Sequence, residues 1–189
     1  MTCAGVLLTG GASRRLGTDK AMLLVDGETL AARSGRVLAS VCDPVIEVGS
    51  GVSSLRSVRE QPTGSGPLAA FLAGIDALGV DGPAVLLGCD LPFVDEATVS
   101  WIARYPDSGS VVPIVAAREQ YTCSRWSVAA IERAREAFAA GARALGALTD
   151  VGDVVRVPAD DRARALADVD TPGDATRLGV SYDRADGPS

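Results

Sequence analysis

Along the chain, short apolar runs that stop at glycine or proline alternate with longer stretches in which apolar residues recur every three or four positions. The run at 3–9 stops at Gly10-Gly11, and its shortness predicts a buried strand rather than a helix. Residues 28–40 place Leu30, Ala31, Ser34, Val37 and Leu38 at helical spacing, with Thr29 or Asp26 available to start the helix. Strands are predicted at 44–48 and 55–58. A helix then begins at Pro67, with Leu68, Phe71, Leu72, Ile75 and Leu78 on one stripe. A buried strand at 83–88 runs into Cys89-Asp90-Leu91-Pro92-Phe93, and Asp95 or Glu96 opens a helix through Trp101 and Ile102. Strands follow at 109–115 and 121–126, then a helix at 128–140 ended by Gly141. A shorter helix at 143–148, a strand at 154–157 and a helix at 172–178 complete the pattern. Strands alternating with helices predict an α/β fold, a three-layer sandwich around a mainly parallel, mixed sheet. No repeat or linker divides the chain, so residues 1–180 read as one domain and 181–189 as a polar tail.

Composition narrows the chemistry. Of 189 residues, 47% are hydrophobic and 22% charged, which supports a packed core and excludes a disordered chain. A net charge of −6 argues against non-specific nucleic-acid binding, which relies on cations at phosphates. The absence of histidine removes Ser-His-Asp triads, histidine general bases and histidine-ligated zinc or haem. Cys3, Cys42, Cys89 and Cys123 form no C-x-x-C pair and read as reduced, buried small hydrophobes. The sequence predicts neither a signal peptide nor a membrane span, which points to the cytoplasm.

Parallel sheets bind ligands beyond the carboxyl ends of their strands, so the chemistry should lie at 9–20, 49–51, 59–66, 88–93 and 167–172. In the first segment, Gly10-Gly11 lets the backbone approach an anion, and Arg14, Arg15 and Lys20 supply cations. A solvated turn would use the same glycines, but the three cations favour phosphate. The spacing fits neither G-x-x-x-x-G-K-[ST] nor G-x-G-x-x-G, which disfavours a P-loop and a dinucleotide fingerprint. Asp90, at the end of a hydrophobic strand, suits a hard-oxygen ligand for Mg²⁺ or a turn carboxylate. In Asp168-Val169-Asp170-Thr171-Pro172-Gly173-Asp174 the alternating aspartates could share a cation, while Thr171 or Asp170 could cap the last helix. The D-x-D start of haloacid-dehalogenase phosphatases is discounted, because that motif opens its domain and this one nearly closes the chain. Trp101 and Trp126 read as core, and Glu132, Arg133, Arg135 and Glu136 as a solvated helix face.

Together these segments resemble the molybdenum cofactor guanylyltransferase family (the MobA type). That family's L-A-G-G-x-S-x-R-M-G-x-D-K appears as Leu8-Thr9-Gly10-Gly11-Ala12-Ser13-Arg14-Arg15-Leu16-Gly17-Thr18-Asp19-Lys20. Its G-P-L-A-G appears as Gly66-Pro67-Leu68-Ala69-Ala70, and its C-D-x-P-F/Y as Cys89-Asp90-Leu91-Pro92-Phe93. Its closing N-x-N-T-P appears as Asp168-Val169-Asp170-Thr171-Pro172, and its A-A-G-x-R-x-L as Ala139-Ala140-Gly141-Ala142-Arg143-Ala144-Leu145. The resemblance spans residues 5–178. It implies a Rossmann-like, nucleotide-diphospho-sugar transferase-like fold. It also implies transfer of GMP from GTP to molybdopterin-bound molybdenum cofactor with release of pyrophosphate.

Carried over by position, Leu8, Thr9, Gly10 and Gly11 would bind GTP through the backbone. Lys20 and Arg15 would meet the phosphates, Asp90 would hold Mg²⁺, and the family's acidic nucleotide contact falls at Glu60. The attacking group would be an acceptor phosphate, already an anion, so a histidine-free chain suits the chemistry. Reactive molybdopterin suggests handover within a complex with the molybdenum-inserting protein. The chain departs from the family at Thr9 (Ala), Leu16 (Met), Ala70 (Gly) and Gly173 (Glu), and at Asp168 and Asp170 (both Asn). Gly49 stands where some members carry Asn, and Gln120-Tyr121-Thr122-Cys123 lacks a basic or proline-containing substrate loop. Two alternatives accompany this expectation: cytidylyl transfer to the same cofactor, whose relatives read L-A-A-G, and a non-catalytic nucleotide-binding homologue. A sugar-phosphate nucleotidyltransferase would be expected to carry a longer chain with an extra C-terminal region, for which 189 residues leave no room.

Overall fold

The computed structural model describes residues 3–10, 19–149 and 153–181. Strand β1 (Ala4–Leu8) comes first, and a 3-10 turn (Lys20–Met22) lies beyond the glycine-rich segment. A short hairpin of β2 (Leu24–Val25) and β3 (Glu28–Thr29) leads into helix α1 (Leu30–Val41). β4 (Val45–Val48), β5 (Ser57–Val58), α2 (Pro67–Leu78), β6 (Ala84–Gly88) and α3 (Glu96–Ala103) follow. Then come β7 (Ser110–Val115), β8 (Arg118–Glu119), β9 (Cys123–Trp126) and α4 (Val128–Ala139). A second 3-10 turn (Leu145–Leu148), β10 (Val154–Pro158), a third 3-10 turn (Asp160–Arg162) and α5 (Pro172–Leu178) complete the described elements.

The main sheet has the order β10-β7-β9-β6-β1-β4-β5, with β8 paired to β7. β1 runs parallel to β4 and β6, β4 to β5, and β7 to β10. β9 runs antiparallel to both β6 and β7, so the sheet is mixed. Alternation along the central strands builds two cores. Val6, Ile46 and Leu86 face α2 and α4, packing with Leu68, Phe71, Ile75 and Ile131. Leu7, Val85 and Leu87 face α1 and α3, packing with Leu38, Val99 and Ile102. Both faces are covered, which is why the central strands read as unbroken apolar runs. Burying a side chain such as Phe71 contributes about 1.5–3 kcal/mol.

A satellite core lies under the β2–β3 hairpin, where Leu23, Val25 and Leu30 pack on Val169, Ala175 and Val180. Leu24 and Ser181 exchange backbone hydrogen bonds at its edge. This packing brings residues 23–30 and 169–181 together.

Helix starts follow local chemistry. The Thr29 hydroxyl accepts from Ala32 N–H, Asp95 from Thr98 N–H and Ser127 from Ala130 N–H. Asp26 caps nothing; with φ of 53° it forms the tip of the β2–β3 hairpin beside Gly27 at 80°. Thr171 and Asp174 form a capping box on α5, with Pro172 in the first turn. The predicted helix at 143–148 is instead a 3-10 turn, and the strand at 121–126 begins at Cys123. Trp126 is fully buried. Trp101 is only half-buried, edge-on to Tyr105 and under the Arg162 guanidinium. On α4 the predicted solvated face is tied down: Arg133 pairs with Asp153, and Arg135 with Asp76 and Glu132. All four cysteines are free and buried.

Candidate active site

Four parallel strands deliver their carboxyl ends to one edge of the sheet: β1 at Thr9-Gly10, β4 at Gly49, β5 at Arg59-Glu60 and β6 at Cys89-Asp90. β9 runs the other way, so the residue before it arrives at the same edge, where Thr122 O accepts from Gly88 N–H at 2.7 Å. The segment around Asp168 and Asp170 is laid alongside by Val169 N–H donating to Asp90 O at 2.9 Å. The described residues of the five segments expected to carry chemistry therefore meet.

They line a cleft of three adjoining hollows. One of about 570 Å³ is walled by Gly49, Ser50, Glu60, Gly66 and Ala70. A central one of about 220 Å³ holds Leu8, Gly10, Lys20, Asp90 and Thr122. The third, about 470 Å³, lies between Tyr121, Leu145, Asp168 and Asp170. Thr9, Gly10 and Pro67 are shared by the first two, and Asp90 and Thr122 by the last two.

Lys20 sits at the centre. Asp19 starts its 3-10 turn by accepting from Ala21 N–H at 3.0 Å. The Lys20 ammonium lies 2.5 Å from Asp170 Oδ1 and 3.8 Å from Asp90 Oδ2. Burial pulls its pKa down, but the Asp170 hydrogen bond and the charges of Asp90 and Asp170 outweigh this and hold it above its ordinary value. The Asp90 carboxyl is also held above its ordinary value, which for a carboxyl favours the neutral form. Burial raises its pKa, Lys20 opposes, and Asp168 and Asp170 raise it further. Its Oδ1 is buried without a hydrogen-bond partner. Gly88 makes room for that oxygen: a Cβ there would stand 2.7 Å from it.

Of the other expected residues, Leu8 and Thr9 are buried, Gly10 is exposed at the cleft, and Glu60 is half-buried, its Oε1 accepting from Gly64 N–H at 2.8 Å. Gly11, Arg14 and Arg15 lie outside the described residues. Cys89 is packed, and burial pushes its thiol far up, which leaves it unreactive. Asp168 and Asp170 line the same hollow; Asp170 pairs with Lys20, and Thr171 rather than Asp170 caps α5. Among the described residues no three Cys, Asp or Glu side chains converge to hold a metal ion. The unpartnered Asp90 oxygen nevertheless fits a cation such as Mg²⁺, which takes few protein ligands and completes its shell with phosphate oxygens and water. No helix among the described residues is long and apolar enough to cross a membrane.

Sequence reasoning read Tyr121 and Thr122 only as lacking the family's substrate loop; they reach the cleft because β9 is antiparallel, and Leu145 joins them from the 3-10 turn after α4. It passed over Glu47, whose one signal is a charge inside the apolar run Val45-Ile46-Glu47-Val48. Glu47 is fully buried.

Residues 5–154 match the family model described as the MobA-like NTP transferase domain. The molybdenum cofactor guanylyltransferase of Rhodobacter capsulatus is 32% identical, over 94% of this chain and 95% of that one. A probable molybdenum cofactor guanylyltransferase of Mycobacterium avium (strain 104) is 29% identical over the same shares. Among solved structures, molybdopterin-guanine dinucleotide biosynthesis protein A of Archaeoglobus fulgidus superposes with a TM-score of 0.71 at 18% identity, covering 93% of this chain and 96% of that one. The 2-C-methyl-D-erythritol 4-phosphate cytidylyltransferase of Thermus thermophilus gives 0.67 at 18% identity, covering 94% and 97%. These neighbours share the nucleotide-diphospho-sugar transferase fold, and by the extent of the domain match and the identity to its relatives the chain belongs to the MobA-like NTP transferase family.

Proposed function

We propose that this protein transfers GMP from GTP to molybdopterin-bound molybdenum cofactor and releases pyrophosphate. The observation that carries this reading is the meeting of two substrate-sized hollows at Lys20 and Asp90. GTP enters the hollow walled by Gly49 and Glu60, with its phosphates reaching the centre. The acceptor lies in the hollow by Tyr121 and Asp168. An oxygen of the acceptor's phosphate attacks the α-phosphorus, a new P–O bond forms, and the bond to the leaving pyrophosphate breaks with its electron pair. The nucleophile is already anionic, so no side chain must take a proton. The protein's work is alignment and charge compensation. Lys20 stays protonated throughout and offsets the charge that gathers on the leaving group. Asp90, with Oδ1 unpartnered, is the residue that would hold Mg²⁺, whose contribution when bound is to neutralise phosphate charge.

Glu60 favours guanine on chemical grounds. A carboxylate only accepts hydrogen bonds, and the guanine edge offers two donors, N1–H and the 2-amino group. Cytosine offers a single donor, its 4-amino group, beside the acceptors N3 and O2, so a carboxylate there gains one hydrogen bond rather than two. Four buried free thiols support a reducing compartment, and we place the reaction in the cytoplasm. Calorimetric titration with GTP, CTP, ATP and UTP in the presence and absence of Mg²⁺ tests the reading. Selective, Mg²⁺-dependent binding of GTP that Glu60→Gln weakens is expected. Preference for CTP, or binding of no nucleotide, would overturn it.

A further inference from the structure

We infer that Glu47 is a positioning residue, which sets the wall of the nucleotide hollow from behind without touching the ligand. This inference rests on the nucleotide-transfer reading. Glu47 lies in β4, between β1 and the edge strand β5, with no exposed surface. A buried carboxylate is costly unless it is paired or fully hydrogen-bonded, and among the described residues Glu47 has no cationic partner. It accepts five hydrogen bonds instead. The Thr9 hydroxyl donates to Oε1 at 2.5 Å, and Gly51 N–H and Val52 N–H donate to the same oxygen at 2.8 and 3.1 Å. Ser53 donates twice to Oε2, from N–H at 2.9 Å and from its hydroxyl at 2.5 Å.

These donors come from two segments: the end of β1, held to Val48 O by the Thr9 and Gly10 N–H groups at 3.1 and 3.4 Å, and the loop at 51–53 beyond β4, which Glu47 ties to it. Both segments wall the hollow, through Thr9, Gly10, Gly49 and Ser50. They also press against each other. A Cβ at Gly49 would stand 2.1 Å from Thr9 Oγ1 and 2.7 Å from Gly10 N, so only glycine allows the approach. The Arg59 guanidinium ties the outer side, donating from Nε to Gly49 O at 3.2 Å. Glu47 is thus the shared anchor of a wall whose front surface meets the nucleoside, while Lys20 and Asp90 hold the phosphate end. Thr9 belongs to this device, since alanine at that position would leave Glu47 one donor short.

The test is Glu47→Gln, with affinities measured calorimetrically for Mg²⁺–GTP, Mg²⁺–CTP and Mg²⁺–pyrophosphate, and folding checked by circular dichroism. Glutamine puts an amide N–H group against backbone N–H donors on one side of the site, so the wall loses its anchor. GTP affinity should fall about tenfold and the preference for GTP over CTP should narrow, while pyrophosphate affinity changes by less than about twofold. Thr9→Val, which keeps the shape and loses the hydroxyl, should show the same pattern at about threefold, and Thr9→Ser, which restores the hydroxyl, should recover most of the lost preference for GTP over CTP. Thr9→Val also decides the matter if Glu47→Gln does not fold. A folded variant whose GTP and pyrophosphate affinities both stay unchanged, or fall together, would overturn the inference. Failure of the wild-type protein to prefer GTP would instead refute the proposed reaction. The wild-type-to-variant ratio for whichever nucleotide binds best would still test Glu47.

Discussion

Asp170→Asn replaces the carboxylate that holds Lys20 with an amide of the same shape, the residue type the family carries there. The ion pair is short, 2.5 Å between Lys20 Nζ and Asp170 Oδ1, but 48% of the Asp170 side chain is exposed. At that distance Coulomb's law gives about 7 kcal/mol with an effective dielectric constant of about 20, and about 1.7 kcal/mol in bulk water. With half of the carboxylate in solvent and side-chain entropy opposing, the net contribution is about 1 kcal/mol. The phosphates of a nucleotide compete with Asp170 for the same ammonium. Removing the competitor should therefore tighten Mg²⁺–GTP binding about fivefold at low salt. The gain should shrink at about 0.5 M salt, where screening is strong. Titration calorimetry on wild type, Asp170→Asn, Lys20→Ala and the double variant measures this. Lys20→Ala should weaken binding, and Asp170→Asn should have no further effect in its background. Weaker GTP binding in Asp170→Asn alone would refute the reasoning and make the carboxylate a contributor to the site.

Three further outcomes follow from the geometry. Asp90→Asn should lower turnover by about two to three orders of magnitude. Its thermal midpoint should stay level or rise, because a buried charge opposed by Asp168 and Asp170 is removed; full activity would remove Asp90 from the mechanism. Arg125, 5% exposed, donates through its guanidinium to the carbonyls of Ala103, Tyr105, Asp107 and Gly109. Lysine cannot reach this fan of acceptors, so Arg125→Lys should cost about 3 kcal/mol in urea denaturation, and a loss below about 1 kcal/mol would contradict the account. The Asp174 carboxyl is lowered to about 2 by hydrogen bonds from Arg177 and Thr171. A depressed carboxyl stabilises the fold above its ordinary value of 3.8 and stops doing so as pH falls through about 2. The fall in melting temperature between pH 5 and pH 2 should therefore be shallower in Asp174→Asn, and identical slopes would rule the capping box out as a source of acid sensitivity.

Local chemistry by itself determined most of the framework. Apolar runs bounded by Gly10, Gly49 and Gly88 specified strands, and Thr29, Pro67, Asp95 and Thr171 marked helix starts. These signals act within a few residues, so they are readable one segment at a time. The position of the cleft was also legible, because parallel strands must point their carboxyl ends the same way. Which residues face each other there was decided by tertiary structure. Lys20 and Asp170 are 150 positions apart and meet because a satellite core packs α5 under the β2–β3 hairpin. Tyr121 and Thr122 join the cleft because β9 runs against its neighbours, a choice that no local propensity encodes. Arg125 and Glu47 drew no reading from the sequence, since a single sequence does not show which distant donors or acceptors satisfy a charge. Only the folded chain brings four carbonyls to the one and five donors to the other, and that satisfaction is what allows either to be buried.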